Sequence, residues 1–362
     1  DLDGAKDGAL SNFDAVSAII AATGMFVEVG GGIRDEARVR AYLEQGAGRV
    51  ILGTAALRDF SVSLCRAAGL SADDAALLTD SILFAECRGV TSHGLLRLPQ
   101  YIARLRSGAT ASNVPMPFTM ESGGTARLDA QNGLGQLAGR KASDKAEELA
   151  AEYGVSFVAV ANSNHFGTGA WYAIPAARRG FFAFNISSAA SAMAPHGAAQ
   201  PLLGTDPVGL ALPRGAGKAP LALDMALSTA ARGKIRYAAL NGTPIPETWG
   251  LGAHGAPTTD AAAVLDGGTL LPAGGAKGSG LAIFIELLCA VLTGSGALGG
   301  TGLLSDLSRP AGTGHIFGCV DIQRFLPLET FEALCEESLS RVTSLTPAQP
   351  GGEILLPGEP EE

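Results

Sequence analysis

Short apolar runs that end in polar or glycine-rich turns recur along this chain, and a helical pattern follows many of these turns. The sharpest example is an apolar run over residues 155–161, which ends in the polar letters NSNH before a helical pattern over residues 170–179. This pattern predicts a strand, a polar turn and a helix start. Because strand and helix would fix the turn while leaving it accessible, His165 in that turn is a candidate catalytic residue. A hydrogen-bonded structural histidine is the alternative.

The first sixty residues carry a related pattern with shorter strands. Residues 26–29 and 49–52 predict two strands, a helical pattern over residues 35–45 lies between them, and glycines follow each strand. Strand, helix and strand at this spacing predict a parallel βαβ unit. Glycines directly after the strands would let backbone N–H groups meet a phosphate.

A helix start further along the chain combines three side chains that suit a small carboxylate. The letters TSHGLLR place Ser92, His93 and Arg97 at the start of a predicted helix over residues 95–107. His93 and Arg97 are four positions apart and would share one helix face if Gly94 does not break the turn. A forked guanidinium beside a hydroxyl and an imidazole suits a carboxylate. A surface arginine, an N-capping serine and a satisfied histidine explain the same letters equally well.

The letters GLGQLA at residues 133–138 fit the loose G-x-G-x-x-[GA] dinucleotide pattern. The strand before them is short, and no acidic residue ends the next strand, where a Rossmann fold places the partner of a ribose. We therefore interpret this stretch as a turn and a helix start.

Two later segments place charged side chains at the ends of predicted elements. A strand over residues 221–224 ends in Asp224, whose carboxylate would orient His165 and support its charged form if the two lie together. An N-cap for the next helix is the alternative. The letters GGAKGSG place Lys277 just before an apolar helix over residues 281–292, where bare N–H groups and a lysine predict an anion site. A flexible connector with an incidental lysine is the alternative there.

Composition narrows the function classes. The chain has 362 residues, 47% of them hydrophobic and 17% charged, which allows two or three domains with sizeable cores. A net charge of −9 and the lack of a Lys/Arg-rich run argue against a nucleic-acid partner. The five histidines have no ligand spacing with cysteines or carboxylates, so we expect no metal site.

Cysteines and apolar runs bear on the location of the protein. The five cysteines are scattered and form no C-x-x-C pair, which favours free thiols in a reducing cytoplasm. No signal peptide is visible. The longest apolar run, residues 281–292, is interrupted by Glu286 and is shorter than the roughly 20 residues that a bilayer needs. We therefore expect a cytoplasmic protein without a membrane partner.

From about residue 62 to the end, the chain resembles the type 2 malate/L-lactate dehydrogenase family. The letters RGVTSHGLLRLPQYIARLRSG, NSNHFGTGAWY, AMAPHG, LLGTDP, LDMALS, GGAKGSGLA and TPAQPGGEILLPGEPEE occur in family order. The resemblance implies an α/β fold whose cofactor-binding sheet is largely antiparallel, unlike a Rossmann sheet, and is flanked by helices. It also implies a homodimer, NAD or NADP as the cofactor, and hydride transfer between that cofactor and a small 2-oxo or 2-hydroxy acid.

The resemblance assigns roles by position. His165 matches the acid/base histidine, and Ser92, His93 and Arg97 match the substrate-side motif, within which we expect a catalytic role for His93. The residues that match cofactor-contacting positions are Ser187, Ser188, Ala189, Asp224, Met225, Ala226, Lys277, Gly358, Glu359 and Pro360.

The chain departs from the family pattern on its cofactor side. The family's G-T-N-P reads G-T-D-P here, so that Asp206 adds a carboxyl, and K-G-Y-G reads K-G-S-G, with Ser279 in place of an aromatic residue. The loop T-N-A-S-P reads SSAAS over residues 187–191. These departures spare every proposed catalytic side chain. An inactive, dehydrogenase-shaped protein is the alternative.

Residues 1–58 resemble a different family. The letters DLDGAK, VEVGGGIR and RVILGTAAL follow the order of the second to fourth strands and loops of ProFAR isomerase, the histidine-biosynthesis (β/α)8 barrel. The phosphate-binding positions of that barrel match Gly31, Gly32, Gly53 and Thr54. The strands that carry its catalytic aspartates are absent, so a sugar-phosphate isomerase is the weaker alternative for the function.

Together, the two resemblances divide the chain near residue 58. They imply a partial (β/α)8-barrel fragment over residues 1–58 and a dehydrogenase-like domain over residues 59–362. Within that domain we expect a helical part over residues 61–125 and 325–362, and a cofactor-binding part over residues 126–324.

Overall fold

The computed structural model of this chain divides into two compact units, Asp1–Leu83 and Phe84–Glu362. The structure describes residues 13–23, 27–30, 33, 36–51, 53–215, 217–349 and 351–361. The boundary near residue 58 that the two resemblances imply concerns family membership, and it stays a prediction.

Within the described residues, the first unit contains a helix followed by a strand–helix–strand arrangement. The bounds are Phe13–Thr23 for α1, Glu28–Gly30 for β1, Glu36–Glu44 for α2 and Arg49–Ile51 for β2. Strand β1 pairs in parallel with β2, as the spacing predicts. Val29, Ile33, Tyr42 and Ala47 form a small buried core. One βαβ unit does not identify a barrel, so the barrel fragment stays a prediction, and residues 1–12, Gly31 and Gly32 lie outside the described residues.

Two helices complete this part of the chain. Helix α3 spans Thr54–Ala67 and α4 spans Ala72–Cys87. The hydroxyl of Ser71 accepts the backbone N–H of Asp74 at 3.1 Å, so Ser71 caps α4. Within the first unit, Arg58 donates hydrogen bonds of 2.7 and 3.0 Å to the carboxylate of Asp80, which ties α3 to α4.

A seven-stranded sheet organises the second unit. Its strands are β3 (Phe118–Ser122), β4 (Thr125–Asp129), β5 (Phe157–Ser163), β6 (Phe181–Ser187), β7 (Val208–Leu212), β8 (Leu221–Met225) and β11 (Thr313–Asp321). Their order across the sheet is β3-β4-β5-β11-β6-β7-β8. Strands β4 and β5 run in parallel and the other neighbours are antiparallel. This confirms the largely antiparallel, non-Rossmann sheet.

The other elements of the second unit surround this sheet. They are α5 (Leu98–Ser107), α6 (Gly135–Tyr153), α7 (Ala170–Arg178), α8 (Arg232–Leu240), β9 (Gly250–Leu251), α9 (Ala261–Leu265), β10 (Thr269–Leu270), α10 (Ala276–Glu286) and α11 (Leu328–Thr343). A π-helical turn, Leu287–Val291, extends α10, and 3-10 turns form at Thr91–His93, Leu95–Arg97, Ile322–Arg324 and Glu359–Glu361. Within the described ranges, every helix is too short or too polar to cross a bilayer.

Helix α6 starts in the GLGQLA stretch and packs against β5 and β11. Gly135 lies so close to the backbone of Asn164 and His165 that a Cβ there would collide with their carbonyl oxygens. Gly139, one turn later, meets the ring of Tyr172 in the same way. These glycines therefore let α6 approach the His165 turn, which agrees with the interpretation as a turn and a helix start.

Candidate active site

A cavity of about 400 Å³ opens in the second unit, within the size range of small-molecule sites. Four segments supply most of its wall: the 3-10 turns before α5, the turn after β5, the loop after β6, and the segment from the end of β8 to the start of α8. Its charged and titratable side chains are Arg88, His93, Arg97, His165, Asp224, Arg232 and Glu361. Residues that lie far apart in the sequence thus meet in one site.

The turn that carries His165 is fixed by the buried side chain of Asn164. Its amide donates a hydrogen bond of 2.8 Å to the carbonyl of Gly133 and accepts hydrogen bonds of 3.1 Å from Thr110 and from the buried Arg104. An amide suits this place because it donates and accepts at once. The polar letters NSNH therefore form an anchored turn, and His165 lines the cavity.

Two side chains meet the imidazole of His165. The hydroxyl of Tyr101 lies 2.7 Å from Nδ1 of His165. The ring of His93 stacks on the His165 ring, with the two ring centroids 5.3 Å apart. With Nδ1 engaged, Nε2 is the ring nitrogen left to meet a ligand. A hydroxyl, and not the carboxylate considered from the sequence, thus orients this histidine.

The surroundings of these two histidines keep them neutral, although both rings line the open cavity. Burial lowers the pKa of His165 well below its usual value, and positive charge on His93 and Arg97 would lower it further. Burial and the neighbouring Arg97 also lower the pKa of His93 to about 4. A neutral imidazole at pH 7 can accept a proton.

Ser92, His93 and Arg97 lie together, but in two 3-10 turns and not in the helix predicted from residue 95. Helix α5 begins only after Arg97, because Gly94, with ψ −143°, separates the two turns. Nε of Arg97 donates a hydrogen bond of 2.6 Å to the carbonyl of Ser92, and the Ser92 hydroxyl lies 2.9 Å from Nδ1 of His93. Nη1 of Arg97 also donates a hydrogen bond of 2.9 Å to Oε1 of Gln100. These contacts hold the guanidinium at the wall, and the N–H groups that they do not use can bind a carboxylate.

The loop after β6 carries predicted cofactor-side residues, and β11 holds it in place. The hydroxyl of Ser187 lies 2.8 Å from Nδ1 of the buried His315. The backbone N–H of Ser188 donates to the carbonyl of Gly314, and its hydroxyl accepts the N–H of Gly314, both at 3.1 Å. The predicted cofactor-side residues that line the cavity are Ser187, Ser188, Ala189, Asp224, Met225 and Ala226.

Asp224 caps a helix, but a different one from the helix that follows it in sequence. Its carboxylate accepts the backbone N–H of Ala170, the first residue of α7, at 2.8 Å. Helix α8 begins at Arg232, so the N-cap interpretation for that helix is wrong. Enclosure by the cavity wall raises the pKa of Asp224 to about 6, although the N–H groups of Ala170 and Gly169 oppose the rise. The carboxylate lines the cavity and is exposed to its open space.

Four predicted cofactor-side residues do not line the cavity. Lys277 is exposed in the first turn of α10. The segment Gly358–Pro360 runs beside β8, where Gly358 approaches the backbone of Ala222. The next residue, Glu361, does reach the cavity. The roles of these four residues stay predictions.

Several residues of the site escaped the sequence analysis, among them Tyr101, Arg88, Thr168 and Arg232. Tyr101 carried a signal, because it follows Arg97 by four positions, about one helical turn. The hydroxyl of Thr168 is buried and, among the described residues, has no hydrogen-bond partner, so a ligand in the cavity can supply one. Arg88 and Arg232 gave no signal, because their local patterns are those of surface arginines.

The cysteines of the chain are free thiols. All five cysteines are free, and burial raises the pKa of Cys289 and Cys319, which keeps both as thiols. In the part of the chain that the structure describes, no three His, Cys, Asp or Glu side chains gather so that they could hold a metal ion.

Comparison with known families adds to this geometry. Residues 53–362 match the family model described as malate/L-lactate dehydrogenase. The chain belongs to this family. Residues 1–71 match the model described as histidine biosynthesis protein, in line with the N-terminal resemblance.

Three similar proteins show the range of the malate/L-lactate dehydrogenase family. The chain is 38% identical over 284 residues to the (2R)-3-sulfolactate dehydrogenase (NADP(+)) of Chromohalobacter salexigens, covering 78% of this chain and 84% of that one. It is 32% identical over 303 residues to the ureidoglycolate dehydrogenase (NAD(+)) of Escherichia coli, covering 83% and 84%. The solved structure of the sulfolactate dehydrogenase from Methanocaldococcus jannaschii matches with a TM-score of 0.79 and 35% identity, over 84% of this chain and 87% of that one.

Proposed function

We propose that this malate/L-lactate dehydrogenase family member transfers a hydride between NAD or NADP and a small 2-hydroxy or 2-oxo acid. The observation that carries the proposal is His165, which lines the cavity beside Arg97 while Tyr101 engages its Nδ1. A neutral imidazole beside a guanidinium suits the oxidation of a 2-hydroxy acid, because one group accepts the hydroxyl proton and the other binds the carboxylate.

The proton step follows from the two contacts of His165. In the oxidising direction, Arg97 binds the carboxylate and Nε2 of His165 accepts the proton of the 2-hydroxyl. This requires the tautomer with its proton on Nδ1, which donates to the phenolic oxygen of Tyr101. The lowered pKa of His165 keeps it ready to accept. In the reducing direction, the same nitrogen returns the proton to the carbonyl oxygen.

A bound nicotinamide would accept or supply the hydride. The cavity suits such a group at Thr168, whose buried hydroxyl has no partner among the described residues, and at Asp224, whose carboxylate can accept hydrogen bonds from hydroxyl groups. The segment Ser187–Ala190, held by β11, forms a further part of the wall. Two relatives carry NADP(+) and NAD(+) in their names, so the proposal covers both cofactors.

The cations of the wall bear on the substrate. Besides Arg97, the cavity is lined by Arg88 and Arg232. Extra positive charge favours a 2-hydroxy acid that carries a second anionic or polar substituent. The named substrates of two relatives, sulfolactate and ureidoglycolate, are of this kind.

We also infer a homodimer, as the family resemblance implies. Leu281, Phe284 and Leu288 recur at helical spacing along α10 and its extension, Leu292 follows directly after the extension, and all four side chains are exposed. Apolar stripes of this kind on a protein surface mark interaction sites. A second copy of the chain is the partner that we propose for this stripe.

The decisive experiment combines binding and turnover. Fluorescence titration with NADH and with NADPH should show saturable binding, and a screen of malate, lactate, sulfolactate, ureidoglycolate and the corresponding oxo acids should find a substrate. His165→Ala should keep cofactor binding and lose about two to four powers of ten in turnover. The exposed His254, changed to Ala, is the control. Wild-type turnover by His165→Ala, or no binding of either cofactor, would overturn the proposal.

A further inference from the structure

Two buried carboxyl groups lie directly behind the cavity wall. Asp206 and Glu286 are 0% and 1% exposed, and both carboxyl groups lie against Gly204. The N–H of Gly204 donates to Glu286, and a Cβ at Gly204 would collide with Oδ1 of Asp206, so the charges of the two carboxyls interact. Asp206 stands between Thr205 and Pro207, both of which line the cavity. Two ionised carboxylates in contact without a cation would repel strongly in such a dry place.

The hydrogen bonds of the pair indicate where a proton on one of the two carboxyls would be satisfied. Both oxygens of Glu286 accept backbone N–H groups, one from Gly204 at 3.3 Å and one from Leu298 at 3.2 Å. Oδ1 of Asp206 accepts the N–H of Ala189 at 3.2 Å. Oδ2 of Asp206 is buried, and the structure shows no donor for it among the described residues. A proton on Oδ2 that is donated to Glu286 satisfies this oxygen and removes one of the two charges.

Thr205, Asp206 and Pro207 accept hydrogen bonds from two segments of the cavity wall, the loop after β6 and the segment after β8. Asp206 accepts the N–H of Ala189, and the carbonyl of Pro207 accepts the N–H of Ser187 at 3.3 Å. The carbonyl of Thr205 accepts the N–H of Leu227 at 2.7 Å, two residues after β8 ends at Met225. A shift of Asp206 would therefore move both segments.

We propose that Asp206 and Glu286 share one proton, and that this proton positions the cofactor-side loop Ser187–Ala190, so that cofactor binding weakens when the pair loses it. The second half of this inference rests on the proposed function. Asp206 is thus a positioning residue and touches no ligand itself.

The titratable groups that face the pair do not carry the proton that Asp206 and Glu286 share. Burial, followed by the adjacent Glu286, raises the pKa of Asp206 to about 9, and burial raises the pKa of Glu286. From the extension of α10, Cys289 faces both carboxyls, and burial with their charge raises its pKa well above the usual value. From β11, His315 contacts the same loop, and burial lowers its pKa to about 3. These two neighbours stay neutral around pH 7 to 9.

Two isosteric variants separate the roles of the carboxyls. In Asp206→Asn, the amide oxygen still accepts from Ala189 and the NH2 group donates to Glu286 at every pH, and Asn tolerates the positive φ of 36° at this position. In Glu286→Gln, one acceptor oxygen becomes an NH2 group that faces a backbone N–H donor. The first variant should fold well, and the second should be destabilised.

The test measures cofactor affinity and thermal unfolding against pH. From pH 7.5 to 10, the dissociation constant of NADH or NADPH should rise at least about fivefold more in the wild type than in Asp206→Asn. In unfolding without cofactor, a raised carboxyl pKa stabilises the fold at low pH, and this stabilisation is lost as pH rises toward about 9. The melting temperature of Asp206→Asn should therefore gain on the wild type between pH 5 and 9, by about 3 °C or more.

The outcomes are separable from the proposed function. Parallel pH curves for wild type and Asp206→Asn in unfolding would overturn the shared proton, and so would Glu286→Gln if it behaved like Asp206→Asn. A gain in unfolding with parallel binding curves would overturn the positioning role alone. No binding of either cofactor would overturn the proposed function together with the positioning role, while unfolding and infrared spectroscopy would still test the shared proton. Infrared spectroscopy of the wild type should show a protonated carboxyl at pH 7.5 that Asp206→Asn lacks. Its absence from the wild type would also overturn the proposal.

Discussion

The phenolic oxygen of Tyr101 lies 2.7 Å from Nδ1 of His165, and this contact fixes the ring that we propose as the base. Tyr101 is 2% exposed, and burial raises the pKa of its hydroxyl, so that the hydroxyl keeps its proton. In Tyr101→Phe, the imidazole loses this partner and with it the preference for one tautomer and orientation. We expect kcat to fall about tenfold or more, with little change in the KM for the acid.

The control for this change is Tyr153→Phe, because Tyr153 is 52% exposed and lies at the end of α6. Steady-state kinetics of both variants, with thermal unfolding to verify folding, give the comparison. A Tyr101→Phe enzyme with unchanged kcat would show that the hydroxyl does not orient His165.

The lowered pKa of His165 predicts the pH dependence of oxidation. For a histidine with the ordinary pKa of about 6.5, the neutral fraction falls about fourfold from pH 8 to pH 6. Because burial, with His93 and Arg97, places the pKa of His165 well below that value, the base is lost only at lower pH. We therefore expect kcat/KM for the hydroxy acid to change less than about twofold between pH 8 and pH 6.

Asp224 titrates in the same range, because burial raises its pKa to about 6. The profile is therefore measured at saturating cofactor, and Asp224→Asn is run beside the wild type to remove this contribution. A fourfold loss with an apparent pKa near 6.5 in both proteins would contradict the neutral, buried base.

The sequence predicted those parts of the site that depend only on a short local segment of the chain. The apolar run that ends in NSNH specifies a strand and a turn, and Asn164 then fixes that turn through buried hydrogen bonds. The sequence excluded a dinucleotide loop at GLGQLA, because no acidic residue ends the next strand. In the structure, Gly135 and Gly139 allow α6 to pack closely against the His165 turn and Tyr172. Local pattern thus predicted the strand, the turn and the helix that place His165 at the cavity wall.

The parts that sequence missed depend on contacts across long separations. Tyr101 and His165 are 64 positions apart, and Asp224 caps a helix whose first residue lies 54 positions away. Only the packing of α5 and β8 beside the His165 turn creates these contacts. The predicted helix start at residue 95 was wrong for a local reason. Gly94 separates two 3-10 turns, and α5 begins only after the second of them.

Arg97 should act on substrate binding more than on the chemical step. Its Nε donates to the carbonyl of Ser92 at 2.6 Å and its Nη1 donates to Gln100 at 2.9 Å, which leaves the N–H groups of Nη2 for a carboxylate. Removing a charge-assisted hydrogen bond costs about 1.5–3 kcal/mol, so Arg97→Ala should raise the KM for the acid about 10- to 100-fold. Arg97→Lys should recover only part of this, because lysine lacks the planar fork.

Arg106 provides the matched control, because it is exposed in the last turn of the helix that follows Arg97. Arg106→Ala should leave the KM for the acid and the dissociation constant of NADH at their wild-type values. An unchanged KM in Arg97→Ala would remove the substrate role of this residue.

The exposed stripe on α10 and its extension predicts the oligomeric state. Phe284 is 68% exposed between Leu281 and Leu288, so a charge at this position would be buried without a partner in a dimer interface. Light scattering should give the wild type twice the mass of one chain, and Phe284→Glu should shift the equilibrium to the monomer. Leu240→Glu is the control, because Leu240 is 81% exposed on α8 and lies outside the stripe. A wild-type protein that is monomeric at micromolar concentration, or a Phe284→Glu variant that stays dimeric, would assign the stripe to another partner.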